Sequence, residues 1–394
     1  MIPYGRQTID EDDIKAVIEV LRSDWLTTGP KVAEFEQAVA DYVGAKYVAA
    51  VSSGTAALHA AMYAIGIGPG DEVIVPPITF AATANCVVYQ GGTPVFADVD
   101  SGTLLIDPAK VEEKITEKTR AIIGVDYAGQ PCDWDRLREI ADKRKLKLIA
   151  DGCHALGAEY KGRKVGSLAD MTVFSFHPVK HITTGEGGMI TTDDPEVAGQ
   201  MRLFRTHGIT RDPKCFSSLT SDFRPLTSDF SWFYEMVDLG YNYRMTDFQC
   251  ALGISQLQKL PVFLERRRTI AKQYDDAFAS VPEIIPLAVS QNVLHAYHLY
   301  VVKIDFKKLG IDRTILFTSL REKGIAINVH YIPVHLHPFY REKFLTGLGL
   351  CPVAEAAYEQ IISLPLFPGM ADKDIEDVIK SVLKIIHLCR NGDL

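Results

Sequence analysis

Asp151 and Lys180 are the two residues in this chain best placed to do chemistry together. Asp151 opens the run Asp-Gly-Cys-His-Ala-Leu-Gly-Ala and follows the apolar residues Leu146, Leu148, Ile149 and Ala150, so it stands where a buried parallel strand would end. Lys180 closes Val-Phe-Ser-Phe-His-Pro-Val-Lys, part of a second short apolar run that begins at Met171, and the small-residue stretch from Thr184 to Gly188 follows it. A carboxylate and a lysine at the ends of neighbouring strands are what a pyridoxal phosphate (PLP) site needs. The amine condenses with the cofactor aldehyde, and the carboxylate keeps the pyridine nitrogen protonated so that the ring accepts electrons. A surface lysine and a strand-end aspartate that touch only water fit the same letters, and this stretch alone does not choose.

The elements that must hold such a pair are visible as a rhythm. Short apolar runs at residues 47–51, 73–75, 94–97, 121–125, 146–150 and 173–176 alternate with helical stretches, which predicts an α/β domain with a mostly parallel sheet flanked by helices. Ligands collect at the carboxyl ends of such strands, where Asp151 and Lys180 fall. The first run leads into Ser52-Ser53-Gly54-Thr55-Ala56 and an alanine-rich helix. Small residues at a helix start leave free N–H groups and suit a phosphate, although Ser53 or Thr55 as an ordinary helix cap reads equally well. Upstream, Ile14, Val17, Ile18 and Leu21 share one helical face with Asp10 available as cap, and a second amphipathic helix carries Val32, Phe35, Val39 and Tyr42. Residues 208–240 read as a long polar loop in which Leu219-Thr-Ser-Asp-Phe223 repeats as Leu226-Thr-Ser-Asp-Phe230. A long helix to about Phe278 follows, then a smaller α+β unit: a strand near 297–305, a helix at 312–324, a strand at 325–332 and a closing helix at 372–387. This divides the chain into a large domain, 1–245, and a bridging helix with a small C-terminal domain, 246–394.

Composition sets the outer bounds. A chain of 394 residues exceeds what one core usually supports. Its net charge of −8, with basic residues scattered, argues against a nucleic-acid partner. The most apolar tract, 72–89, is broken by Pro76 and Pro77, so no bilayer-spanning segment is expected. Seven dispersed cysteines without a Cys-x-x-Cys pair suit a reducing cytoplasm, and the N-terminus has no secretory pattern. Neither a Walker sequence nor a GxGxxG after a strand is present, which removes support for nucleoside triphosphate and nicotinamide cofactors.

Assembled in order, residues 25–30, 52–57, 76–80, Asp151 with His154, 175–180, 185–188, 240–244 and 298–300 resemble the DegT/StrS family of PLP-dependent sugar-nucleotide aminotransferases, almost end to end. The resemblance implies the fold-type I architecture of the aspartate aminotransferase-like enzymes. It also implies that Lys180 forms the Schiff base and is the catalytic residue, Asp151 partners the pyridine nitrogen and His154 lies against the ring. Thr55, Ala56 and Ser175 would hold the phosphate, Phe80 would stack on the pyridine face, and Asn242 would reach the phosphate of the neighbouring subunit, making a homodimer with shared sites. Tyr4, Trp25, Leu26, Thr27, His330 and Tyr331 would contact substrate.

The opening Ile2-Pro-Tyr-Gly-Arg-Gln7, the Phe176–Thr184 run and Thr206-His-Gly-Ile-Thr-Arg211 are further similar to the subgroup of pseudaminic acid biosynthesis. That subgroup moves an amino group from L-glutamate to C4 of UDP-2-acetamido-2,6-dideoxy-β-L-arabino-hex-4-ulose. Other UDP- or dTDP-linked 4-keto sugars are alternatives. A PLP-dependent sugar dehydratase on the same fold would carry histidine in place of Lys180, and a non-catalytic PLP-binding regulator would not need the lysine. His330, His335 and His337 could be taken for a zinc cluster, but no cysteine or carboxylate joins them in sequence, and substrate contact is expected of His330 instead of a metal.

Overall fold

The computed structural model describes residues 1–217 and 232–393, so the duplicated Leu-Thr-Ser-Asp-Phe segment lies outside the described residues. The centre is a seven-stranded sheet. Its strands are β1 (Tyr47–Val51), β2 (Glu72–Val75), β3 (Thr93–Phe96), β4 (Thr119–Val125), β5 (Lys147–Asp151), β6 (Met171–Ser175) and β7 (Gly188–Thr192), in the spatial order β1-β7-β6-β5-β4-β2-β3. Six of them agree with the apolar runs in the sequence. Burial on both faces makes these strands near-continuous in Val, Ile and Ala and leaves almost none of Val48–Val51, Val73–Val75 or Leu148–Ala150 exposed.

The seventh strand is a correction. Gly188–Thr192, whose start reads as a glycine loop, pairs antiparallel with both β6 and β1. It can do so because residue 188 is glycine: a Cβ there would sit 2.4 Å from the carbonyl oxygen of Ser53. The consequence for the site is direct. β6 and β7 form a hairpin, and Lys180 lies in the loop that joins them, at the same sheet edge as Asp151 at the end of β5.

Two hydrophobic cores follow the chain. The first fills both faces of the large sheet, and the second lies beneath the antiparallel sheet of Ile284–Pro286, Tyr300–Ile304 and Ile361–Leu364, covered by the helices Arg313–Glu322 and Asp372–Asn391. The helix Asp247–Phe278 joins them, with Leu257, Leu260 and Leu264 in the first core and Ile270, Tyr274 and Phe278 in the second. Its start is fixed by a capping box between Thr246 and Gln249. The strand expected at 325–332 does not form. That segment makes only single bridges, Ile2 with Ile325 and Asn328 with Ser363, and Ile361–Leu364 occupies the sheet position instead.

The helix Glu11–Leu21 is capped by Asp10 as its sequence predicts. Its buried residues, however, are Val20 and Asp13, which accepts from Ser255 Oγ at 2.6 Å and Gln256 Nε2 at 2.7 Å, while Ile14, Ile18 and Leu21 stay exposed. Among the described residues, no helix is long and apolar enough to cross a membrane.

Candidate active site

The carboxyl ends of β4, β5 and β6, the start of the helix Gly54–Ala64 and the segment Asn328–Tyr331 surround one cavity of about 740 Å³. Asp151 lies on its wall, 5% exposed. Its two oxygens are used differently: Oδ2 accepts from the hydroxyl of Thr83 at 2.7 Å, and Oδ1 accepts from the N–H of Cys153 at 3.2 Å. Thr83 in turn shares a 2.7 Å hydrogen bond with the hydroxyl of Thr79. A helix on the opposite side of the strand end thus aims the carboxylate.

Lys180 extends into the same cavity, with Nζ 3.4 Å from Nε2 of His298. Burial lowers its pKa below that of an ordinary lysine, opposed by the negative potential of Cys153 and Asp151. That depression makes the free amine available as a base nearer neutral pH.

His154, His298 and His330 line the cavity, and the ring of His181 packs behind that of His298, 5.6 Å away. His154 packs its ring 4.3 Å from that of His298, and the Tyr331 hydroxyl lies 3.2 Å from Nε2 of His154. Burial first, then the charge of Lys180, hold His154 and His298 well below the usual imidazole pKa, burial does the same for His181, and His330 is pushed down to about 4. The cluster is therefore neutral, a set of donors and acceptors without charge.

The start of the helix Gly54–Ala64 forms another wall. The first-turn N–H groups of an α-helix have no intrahelical partners, and those of Gly54 and Thr55 belong to residues that line the cavity beside Ser175. Gly54 is required by the approach: a Cβ there would lie 2.9 Å from Cβ of Ser175 and 3.1 Å from Sγ of Cys153. Ala56 is placed differently from its neighbours. It is buried outside the cavity lining, and its N–H is already taken by the capping hydroxyl of Ser53 at 3.1 Å.

The remaining expected residues divide into two groups. Tyr4, Phe80, His154, His330 and Tyr331 all line the cavity, and Phe80 presents a ring that is 62% exposed. Trp25, Leu26, Thr27 and Asn242 do not line it; all four are exposed on the outer surface of the single chain. The three histidines that suggest zinc diverge, since His330 Nδ1 bonds Ser363 Oγ at 2.8 Å and His335 bonds Glu355 at 2.9 Å. Thr83, Glu186, His298 and Asn328 join the site without having been assigned to it from sequence. For His298 the signal existed, as a motif with Tyr300, but 118 residues separate it from Lys180.

These features fit PLP. A buried carboxylate held by two donors, an amine within the same cavity, an exposed aromatic ring and a helix start with free N–H groups are the set that a pyridine ring, an aldehyde and a phosphate demand. Comparison with known proteins decides the family, because the profile of the DegT/DnrJ/EryC1/StrS aminotransferases matches residues 7–383.

The chain belongs to the DegT/DnrJ/EryC1/StrS aminotransferase family.

Members of this sugar aminotransferase family are PLP-dependent fold-type I enzymes, and so is this protein. The spore coat polysaccharide biosynthesis protein SpsC of Bacillus subtilis is 43% identical over 386 residues, covering 98% of this chain and 97% of its own. Spr1654 of Streptococcus pneumoniae, solved in its PMP form, superposes with a TM-score of 0.90 at 34% identity, over 99% of this chain and 100% of its own, and has also been solved in its PLP form. PseC of Helicobacter pylori, an aminotransferase involved in the biosynthesis of pseudoaminic acid, gives a TM-score of 0.89 at 35% identity over 98% and 99% of the two chains.

Proposed function

We propose that this DegT-family aminotransferase transfers the amino group of L-glutamate to C4 of a nucleotide-linked 4-keto-6-deoxy sugar, with UDP-2-acetamido-2,6-dideoxy-β-L-arabino-hex-4-ulose as the substrate. The observation that carries the reading is the shared cavity of Lys180 and Asp151, together with the subgroup-like wording at residues 2–7 and 176–184 and the similarity to PseC. PLP, when bound, supplies an aldehyde for amines and a ring that accepts electrons. Asp151 would keep the ring nitrogen protonated, Thr55, Gly54 and Ser175 would hold the phosphate, and Phe80 and His154 would flank the ring. Lys180 would anchor the group; once freed, its Nζ would take the proton from glutamate Cα in one half-reaction and deliver one to sugar C4 in the other. Tyr4, His330 and Tyr331 line the same cavity and would contact the sugar.

Charge supports a site completed by a second copy. The cavity lining carries one lysine, Lys180, and no arginine, against the carboxylates Asp151 and Glu186, while the cofactor phosphate, glutamate and a nucleotide diphosphate are all anionic. We therefore assign Asn242, with Trp25, Leu26 and Thr27, to the neighbouring subunit's site in a cytoplasmic homodimer. Residues 1–245 form the PLP-binding domain in this scheme, and 246–394 form the bridging helix and small domain.

A second reading has its own support. Identity to SpsC is 43% and to PseC 35%, which favours an amino sugar destined for a surface polysaccharide over pseudaminic acid itself. Mass spectra after incubation with glutamate and a panel of UDP- and dTDP-linked 4-keto sugars separate the two. The expected product is about one mass unit heavier than the UDP-N-acetyl keto sugar, because C=O becomes CH–NH2, losing one oxygen and gaining one nitrogen and three hydrogens. Turnover confined to a dTDP sugar contradicts the first reading, and no turnover with any keto sugar contradicts both.

A further inference from the structure

His298 has no task in the scheme above, yet it is the side chain that touches the lysine. It is 4% exposed, its Nε2 lies 3.4 Å from Nζ of Lys180, and its Nδ1 is buried without a hydrogen-bond partner among the described residues. The separation is at the long end for a hydrogen bond, and such bonds commonly shorten once reactants are in place. The backbone around His298 is pinned from several sides. Ala296 N–H donates to the Gly129 carbonyl at 2.9 Å, Leu299 N–H to the Ala128 carbonyl at 3.2 Å, and Arg267 Nη1 to the carbonyls of Tyr297 at 3.1 Å and His298 at 3.3 Å. Tyr297 sits at φ +46°, a conformation that a non-glycine residue keeps only where its surroundings hold it. Gly129 makes the close approach possible, since a Cβ there would lie 2.8 Å from Tyr297 N and 2.9 Å from His298 N. The ring of His154, 4.3 Å away, fixes the imidazole on its other side.

We propose that His298 is a positioning residue for Lys180, its Nε2 accepting a hydrogen bond from Nζ whenever that amine is free and so holding it in line between the two half-reactions. The inference rests on Lys180 being the lysine that carries the cofactor. Burial and the charge of Lys180 keep the imidazole neutral, and acceptance at Nε2 calls for the tautomer with the ring proton on Nδ1. The other groups facing the pair are Asp151, Cys153, His154, His181, His330 and Arg267. A neutral acceptor stabilises an ammonium more than an amine, so His298 raises the Lys180 pKa while burial lowers it.

The test uses the full-length protein loaded with pyridoxamine phosphate, in which Lys180 is free. Competitive labelling with acetic anhydride across a pH series, read on the Lys180 peptide by mass spectrometry, gives the apparent pKa of that amine. His298→Leu is expected to lower it by about one unit, the size a hydrogen bond to a charged group implies. His298→Gln keeps an acceptor at the Nε2 position and is expected to restore most of the shift, whereas the shorter His298→Asn is not. Near-UV circular dichroism checks that each variant is folded; if the leucine variant is not, the glutamine and asparagine pair decides. Folded variants in which Lys180 titrates as in the unmodified protein overturn the proposal. Reduction with borohydride in the presence of PLP that leaves Lys180 unlabelled overturns the lysine assignment instead, and the titration still reads the His298 contact.

Discussion

At the scale of single residues, the site depends on how Asp151 is aimed. Its carboxylate accepts from Thr83, and a hydrogen bond to a charged acceptor contributes about 1.5–3 kcal/mol. Thr83→Val is therefore expected to weaken protonation of the cofactor ring, shifting the absorbance spectrum of bound PLP and lowering kcat roughly ten-fold or more while the fold persists. Thr83→Ser keeps the hydroxyl and should retain both properties. A valine variant with the native spectrum and rate would show that the hydroxyl does not tune the carboxylate. Asp151 and Lys180 could be picked out in the sequence because one ends an apolar run and the other sits in the loop that follows the next. Thr83 could not, since a threonine inside an alanine-rich helix reads as filler until the fold brings it 68 residues back to a strand end.

At the scale of elements, the tight contact between the helix start and the end of β6 shapes the cavity wall proposed to hold the phosphate. Gly54→Ala puts a Cβ 2.9 Å from Ser175, and overpacking of this kind costs about 1–3 kcal/mol. The expected result is weaker PLP binding with a lowered melting temperature, measured by cofactor titration and thermal unfolding. Beside the second core, Glu283 ties the last helix to the strand Ile284–Pro286 through Arg390, with Lys308 3.1 Å away. The hydrogen bond from Arg390, opposed by burial and helped by Lys308, lowers its pKa from 4.5 to about 2. A depressed carboxylate stabilises the fold above its unfolded pKa and loses that contribution as pH falls towards the folded value. Glu283→Gln should then lower the melting temperature at pH 7, and the gap to the unmodified protein should narrow as pH drops from about 4.5 to about 3. A gap that stays constant over that window would show that the ion pair adds nothing. The parallel strands were legible because burial on both faces writes itself as unbroken apolar runs. The antiparallel β7 was not, because its leading glycine answers to a tertiary contact with Ser53, and the segment 325–332 looks strand-like yet loses its sheet position to Ile361–Leu364.

At the scale of the molecule, several features are left on the outer surface of the single chain. Ile14, Ile18 and Leu21 are exposed on one helix, Trp25 and Leu26 follow, and Asn242 stands outside its own cavity. A sequence shows an amphipathic face without saying whether its partner is the same chain or another copy. If Asn242 reaches the neighbour's phosphate, Asn242→Ala removes a hydrogen bond worth about 1.5–3 kcal/mol and should weaken PLP binding roughly ten-fold or more in a protein that remains dimeric. Mixing that variant with Lys180→Ala should partly restore activity, because hybrid dimers hold one site with both lesions and one with neither. Proven subunit exchange without any gain would place both residues in one chain's site.

The central claim is that Lys180 is the amine that carries PLP in this enzyme. Reduction of the PLP-loaded protein with borohydride, followed by peptide mass mapping, tests it most directly. The account predicts a single phosphopyridoxyl adduct on the peptide containing Lys180, lost in Lys180→Ala and prevented by prior treatment with glutamate. An adduct on another lysine, or none on a protein that has taken up PLP, would contradict it.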